Sequence, residues 1–270
     1  MAEATDDGGE AMPRAQEPGR SVSSRLWDLL YSFDTDHTEL SLADLVRRTG
    51  MPHATARRLT LDLLEAGALE RTSGNRFAIG LQLWRLGTLA PRAETLRSAA
   101  QPFVEDLYTA LRQHVQLAVL QGDQAVIIER LSAVNAVGLT SQVGGLLPLH
   151  CSGVGKVLLS HSSPAFIDEV LAGRLQRFTP RTIVDPAELR RELASCRSTG
   201  TVVVKEELSE GAESVATRIV DGSGNVVAAM SVVVAAGSIK LQAAVPTLVA
   251  SGLGLSRSLG WRPGIPVRAA

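Results

Sequence analysis

Between Ser41 and Ala66, two apolar patterns of helical period meet across Gly50-Met51-Pro52, and few folds accommodate that layout. Ser41 stands where a helix N-cap belongs, and Asp44 at the third helical position complements the positive end of the dipole. Leu42, Leu45 and Val46 give this helix its buried side, and Gly50 stops it. Pro52 suits the start of the next helix, in which Ala56, Leu59, Leu63 and Leu64 share one side. Upstream, Ser21 caps a further amphipathic helix whose Val22, Leu26, Leu29, Leu30 and Phe33 recur at helical spacing to about Asp34, and a polar turn from Asp34 to Glu39 closes it. Downstream of Gly67, Leu69-Glu70-Arg71 and Arg76-Phe77-Ala78-Ile79 flank Thr72-Ser73-Gly74-Asn75 as the strands of a short hairpin. Residues 21–80 thus read as three helices followed by a β wing.

Two short helices joined by a tight glycine-containing turn present the second to a DNA major groove, whose width admits one helix. With its leucines turned inward, the third helix exposes His53, Thr55, Arg57 and Arg58 near its start. Arginine can bond guanine bidentately or clamp phosphate, threonine can bond phosphate or pack on a thymine methyl, and the helix N-terminus adds backbone donors. Arg71 and Arg76 flank the wing turn, placed for backbone or minor groove. The same pattern also suits a three-helix packing unit whose arginines form a solvated face, since the motif alone has frequent false positives.

A chain of 270 residues accommodates two modest domains. The Leu-, Ala- and Arg-rich stretch from Leu81 to His114, interrupted at Pro91 and Pro102, predicts a linker helix over 81–94 and a boundary near residue 95. Beyond it, Val115 to Leu120 and Ala125 to Leu131 read as strands around Gly122-Asp123, Gly153 to Ser160 and Pro186 to Ser198 as helices, and Val202 to Val204 as a short strand. Val215 to Val220 and Val226 to Val234 flank Asp221-Gly222-Ser223-Gly224-Asn225 as a hairpin, and a helix from about Lys240 to Leu259 closes the domain. The class expected is α+β, with a mostly antiparallel sheet in a domain spanning 95–262. Residues 1–20, polar and rich in Gly and Pro, read as a disordered tail, and 263–270, the end of the stretch from Trp261 to Ala270, as a loose one.

Several function classes are disfavoured. A net charge of −1, from 27 Lys and Arg against 28 Asp and Glu, argues against a protein basic all over and confines any nucleic-acid footprint to one region. Cys151 and Cys196, far apart, fit neither metal-ligand spacing nor a disulfide framework. With no apolar run of membrane-spanning length and no signal-peptide core at the N-terminus, a cytoplasmic protein is expected. The run from Gly144 to Lys156 is not a phosphate loop: a Walker motif needs glycine where His150 stands and a hydroxyl residue where Val157 stands. His150 and Cys151 are adjacent in sequence, which rarely gives bonding geometry between nucleophile and base, and no third orienting residue is evident. No catalytic residue, metal or cofactor is therefore expected. The glycines instead let backbone amides approach a ligand at a helix start that favours an anion, or they serve packing only. Glu206 and Glu207 read as a solvated turn with a structural role, and Cys196 as a small hydrophobe late in its helix.

At the level of whole segments the chain resembles the IclR family of bacterial regulators. The resemblance is carried by Ser41 to Leu45, Gly50 to Leu59 and Leu63 to Leu69, and independently by Pro148 to Lys156 and by Glu206-Glu207 to Gly211 with the hairpin over 214–233. It covers about residues 21–260. It implies a winged helix-turn-helix, a linker helix and a GAF-like effector domain, assembled as dimers that often pair into tetramers on double-stranded operator DNA. In that family the loop before Lys156, the residue matching Ser214 and strand residues near Ser231 line a pocket for small organic acids. Gly153, Val154, Ser214 and Ser231 are the ligand contacts so implied.

This chain departs from relatives that bind small oxo-acids. They place an acidic residue where it has Val204, a cysteine where it has Ser214 and a second serine where it has Val233. Replacing two polar groups by valine leaves apolar surface that penalises a small polar acid and favours a bulkier one, an aromatic or longer-chain carboxylate. Val204 and Val233 are equally compatible with ordinary strand core. An enzyme or ligand carrier with a helical interaction module is the competing class, disfavoured by the lack of a convincing nucleophile or cofactor loop.

Overall fold

The computed structural model describes residues 21–34, 36–133, 142–238 and 240–268, so the tail expected over 1–20 lies outside the described residues. The chain divides into two compact units, with the division between Ala90 and Pro91 rather than near residue 95.

The first unit holds α1 (Val22–Leu30), β1 (Glu39–Leu40), α2 (Leu42–Thr49), α3 (His53–Glu65), β2 (Leu69–Arg71), β3 (Phe77–Ile79) and α4 (Leu81–Gly87). Its core is Leu29, Leu40, Leu45, Met51, Ala56, Leu59, Leu63, Leu69 and Phe77. Burying each large aliphatic side chain contributes about 2 kcal/mol. A capping box closes the start of α2: the Ser41 hydroxyl accepts from the Asp44 amide at 3.2 Å while the Asp44 carboxylate accepts from the Ser41 amide at 3.0 Å. Gly50 ends α2 at φ 65°, in the left-handed region glycine enters without strain. The turn expected over Asp34 to Glu39 ends in a strand instead. Leu40 is buried, and β1 pairs with β3, giving the order β1-β3-β2.

The second unit begins with α5 (Pro91–Leu111), followed by β4 (His114–Gln121), β5 (Gln124–Leu131), β6 (Leu146–Pro148), α6 (Gly153–Ser160), α7 (Pro164–Ala172), α8 (Pro186–Thr199), β7 (Thr201–Lys205), β8 (Ala212–Val220), β9 (Val226–Ala235) and α9 (Lys240–Ser258). The expected linker helix over 81–94 is therefore split between α4 and the start of α5. Pro91, expected as an interruption within the linker helix, begins α5, and Pro102, expected as another, does not break it. Its ring is exposed, while Leu96, Ala100, Val104 and Leu107 anchor the opposite side of α5 in the core and carry the helix past the missing N–H.

Six strands pair antiparallel in the order β6-β5-β4-β9-β8-β7. Strand alternation splits the core in two. Val115, Leu117, Val215, Ile219, Met230, Val232 and Val234 pack with α5 and α9. Ala118, Val202, Val204, Ala216 and Ala229 pack beneath α6 and α8. The described part of the segment expected as a loose tail, to residue 268, is tied down: the Arg268 amide donates to Gly224 O at 2.8 Å, and the Trp261 indole N–H donates to Ile265 O at 3.3 Å. No helix of the described residues is long and apolar enough to cross a membrane.

Candidate functional site

α3 is seated by its apolar side. Ala56, Leu59, Thr60 and Leu63 are buried, and the Thr60 hydroxyl donates to Ala56 O at 2.7 Å, so it takes no solvent-facing position. The opposite side leaves His53, Arg57 and Arg58 exposed and Thr55 half-buried. Arg58 stands 3.6 Å from Asp62 one turn on, with its side chain 59% exposed, a pairing worth little in water and easily exchanged for phosphate. The wing arginines differ. Arg71 donates to Asn75 Oδ1 at 2.5 Å and lies 5.4 Å from the Phe77 ring centroid, so it braces the hairpin it flanks. Arg76 lies 3.6 Å from Asp44, which also accepts from Arg47, tying the wing to the start of α2.

In the second unit, the residues implied for the effector converge on the α6 side of the sheet. Register aligns Val204, Ser214, Val233 and His114 across β7, β8, β9 and β4. The adjoining row holds Val202, Ala216, Ser231 and Gln116. α6 begins directly above them: a Cβ on Gly153 would stand 2.8 Å from Ser214 Oγ and 3.3 Å from the Ala216 methyl. Gly153 is required by that approach. Val154 and Val204 both belong to the buried apolar cluster under α6. Ser152 caps α6, its Oγ accepting from the Gly155 amide at 3.1 Å and donating to Pro148 O at 2.6 Å. His114, Gln116 and Ser231, all buried, give this otherwise Ala- and Val-lined face its polar character. Sequence reasoning singled out Ser231 but neither His114 nor Gln116. Their alternation was visible in β4, but the register that sets them beside Ser231 was not.

A buried ion cluster fixes the middle of α6. Lys156, wholly inaccessible, lies 2.9 Å from Glu192 of α8 and 2.5 Å from Glu207 in the turn after β7. The solvated turn expected for Glu207 is thus corrected: the carboxylate is buried, and the Glu207 carbonyl accepts from Thr182 Oγ1 at 2.6 Å. Glu206 does stay at the surface side of the turn, beside Arg181 at 3.1 Å, with a positive φ of 55°. Burial pushes the Glu207 carboxyl above its ordinary range, against the opposing pull of Lys156.

His150 and Cys151 are not assembled for nucleophilic chemistry. The His150 imidazole bonds Gln176 O at 2.8 Å, and burial holds its pKa down. Burial, reinforced by Glu207, pushes the Cys151 thiol up to about 12, where no useful thiolate forms. Cys196 is likewise pushed up to about 11, chiefly by burial, as befits a small core residue. A separate cavity of about 80 Å³, lined by Thr217, Arg218, Leu253 and Trp261 among others, lies away from the effector face. It is small beside the roughly 300 Å³ and more of ordinary small-molecule sites.

A winged helix-turn-helix with an outward arginine pair, followed by a sheet domain with a buried polar face, defines a ligand-responsive transcriptional regulator. Comparison with known proteins agrees. Residues 24–73 match the IclR helix-turn-helix domain, and residues 91–251 match the C-terminal domain of bacterial transcriptional regulators of the IclR type. The HTH-type transcriptional repressor AllR of Escherichia coli K12 is 31% identical over 226 residues, 83% of each chain. The Pca regulon regulatory protein of Pseudomonas putida is 30% identical over 207 residues, 76% of this chain and 70% of that one. Among solved structures, an IclR homologue from Microbacterium hydrocarbonoxydans in complex with 4-hydroxybenzoate is 33% identical, with a TM-score of 0.83 over 88% of this chain and 99% of that one. The chain belongs to the IclR family. It is a DNA-binding transcriptional regulator with an effector-binding C-terminal domain.

Proposed function

We propose that this regulator is a cytoplasmic, self-associating repressor whose α3 reads operator DNA and whose operator complex is released by an aromatic or longer-chain carboxylate. The observation that carries the choice of effector is the row Val204–Ser214–Val233 beneath the start of α6. One hydroxyl between two valines offers a small oxo-acid few directional bonds while giving a larger apolar body a surface to lie on. The 4-hydroxybenzoate bound by the Microbacterium homologue has that chemistry. His53, Thr55, Arg57 and Arg58 are the proposed major-groove contacts. Arg76 and Arg71 serve the wing, Arg71 through bracing more than direct contact.

Exposed apolar side chains on the first unit support self-association. Trp27 and Tyr31 at the end of α1, and Leu81, Trp84, Leu86 and Leu89 in and after α4, are each more than half exposed. The name of the Escherichia coli relative supports repression.

The test is an electrophoretic mobility shift on the DNA immediately upstream of the protein's own gene, titrated with 4-hydroxybenzoate, benzoate, octanoate, pyruvate and glyoxylate. Release by an aromatic or long-chain acid is expected. Release by pyruvate or glyoxylate alone would reject the effector class.

A further inference from the structure

The row through Ser231 extends one strand further than the implied effector contacts. Pairing aligns Arg130 of β5 with Gln116 of β4, which in turn faces Ser231 of β9 and, through it, Ala216 of β8. Arg130 therefore stands on the α6 side of the sheet, in the row next to Ser214 and Val233. Its neighbours in sequence point the other way. Leu131 packs toward α5 and α9, and Glu129 pairs with Arg97 of α5 at 2.6 Å. From Arg130, Glu129 accepts the backbone N–H, at 2.9 Å, not the guanidinium. The Arg130 Nε is shut off from solvent and has no hydrogen-bond partner. Among the described residues, no carboxylate forms an ion pair with this guanidinium.

A cationic donor withdrawn from water and left unsatisfied is costly, and folded proteins keep few of them without a reason. Burial lowers the Arg130 pKa, and among the described residues no anion offsets it. The guanidinium fork matches a carboxylate in shape as well as charge. Register sets it in one row with Gln116, Ser231 and Ala216, across the sheet from Val202 and Val204 on the edge strand β7.

We infer that Arg130 is the anion anchor of the effector face, its guanidinium receiving the carboxylate of an acid whose apolar body extends across Ser231 toward Val233 and Val204. This rests on the effector reading proposed above and adds to it the group that selects a charged head. The arrangement separates two tasks: the valines admit bulk, and Arg130 requires an anion.

Calorimetry on the full chain tests this with matched pairs, 4-hydroxybenzoate against 4-hydroxybenzamide and octanoate against octanamide. The unmodified protein should prefer the acid of at least one pair. Arg130→Gln should lower that acid's affinity by about 30- to 100-fold, the worth of a charge-assisted bond, and leave the amide unchanged. Arg130→Lys should fall between. Operator binding by ligand-free Arg130→Gln should match the parent, which shows that the variant is folded. If an acid binds the parent and Arg130→Gln equally well, the Arg130 assignment is overturned while the effector reading stands. If the parent binds no member of either pair, the effector reading fails and the anchor with it.

Discussion

Replacing Lys156 by methionine tests whether the buried ion cluster holds the effector face together. The substitution keeps the length and apolar stem of the side chain but removes the cation paired with Glu207, whose own side chain is 7% exposed. Glu192, at 23%, retains access to water and can rehydrate. Breaking a buried pair by deleting one partner costs about 3–5 kcal/mol, because the remaining charge is uncompensated. That is a large share of the roughly 5–15 kcal/mol that stabilises a domain, and for a unit of this size corresponds to about 6–20 °C in Tm. The sign of the pH dependence follows from Glu207. Its pKa in the folded chain already lies above the ordinary 4.5 because of burial. The folded state therefore holds the proton more tightly than the unfolded one, and stability falls as pH rises from the unfolded value through the folded one. Without Lys156 the folded value climbs further. The deficit of Lys156→Met should thus be smallest in mild acid and grow toward pH 8. Urea and thermal melts followed by circular dichroism at pH 5 and pH 8 measure it directly, and Lys156→Met/Glu207→Leu should recover most of the loss. A deficit below about 1 kcal/mol, or one independent of pH, would refute the reasoning.

Two further outcomes follow from the same geometry. Gly153→Val should abolish the response to effector while leaving operator binding near the parent's, because even a Cβ there stands 2.8 Å from Ser214 Oγ; an effector titration of the operator complex reads this out. At pH 8 both cysteines should resist iodoacetamide in the native chain and react on unfolding, since burial holds the thiols near 12 for Cys151 and 11 for Cys196; mass spectrometry of the alkylated protein checks it.

Much of the first unit was legible in the sequence because its signals are local. Ser41, Asp44, Gly50 and Pro52 mark helix ends through their own backbone chemistry, and the period of Ala56, Leu59 and Leu63 fixes which side of α3 faces out. β1 was not legible, since two residues carry no period; only Leu40 packing beside β3 makes them a strand. Pro102 misled because a proline's local effect was weighed without the four buried residues that anchor α5 around it. The proposed effector face of the second unit was half visible. Gly153, Ser214 and Ser231 could be placed through family resemblance, whereas Gln116 and Arg130 join them only through cross-strand register, which depends on pairing between segments far apart in the chain. Glu207 shows the same limit: its buried partner, Lys156, lies 51 residues away.

The central claim is that α3 presents Arg57 and Arg58 to DNA, and reversing both charges measures it most directly. In a mobility shift at several salt concentrations, Arg57→Glu/Arg58→Glu should weaken operator binding at least about 100-fold and reduce the log-log salt slope by about 2, while circular dichroism stays unchanged. Unaltered affinity and slope in a folded double variant would contradict the account.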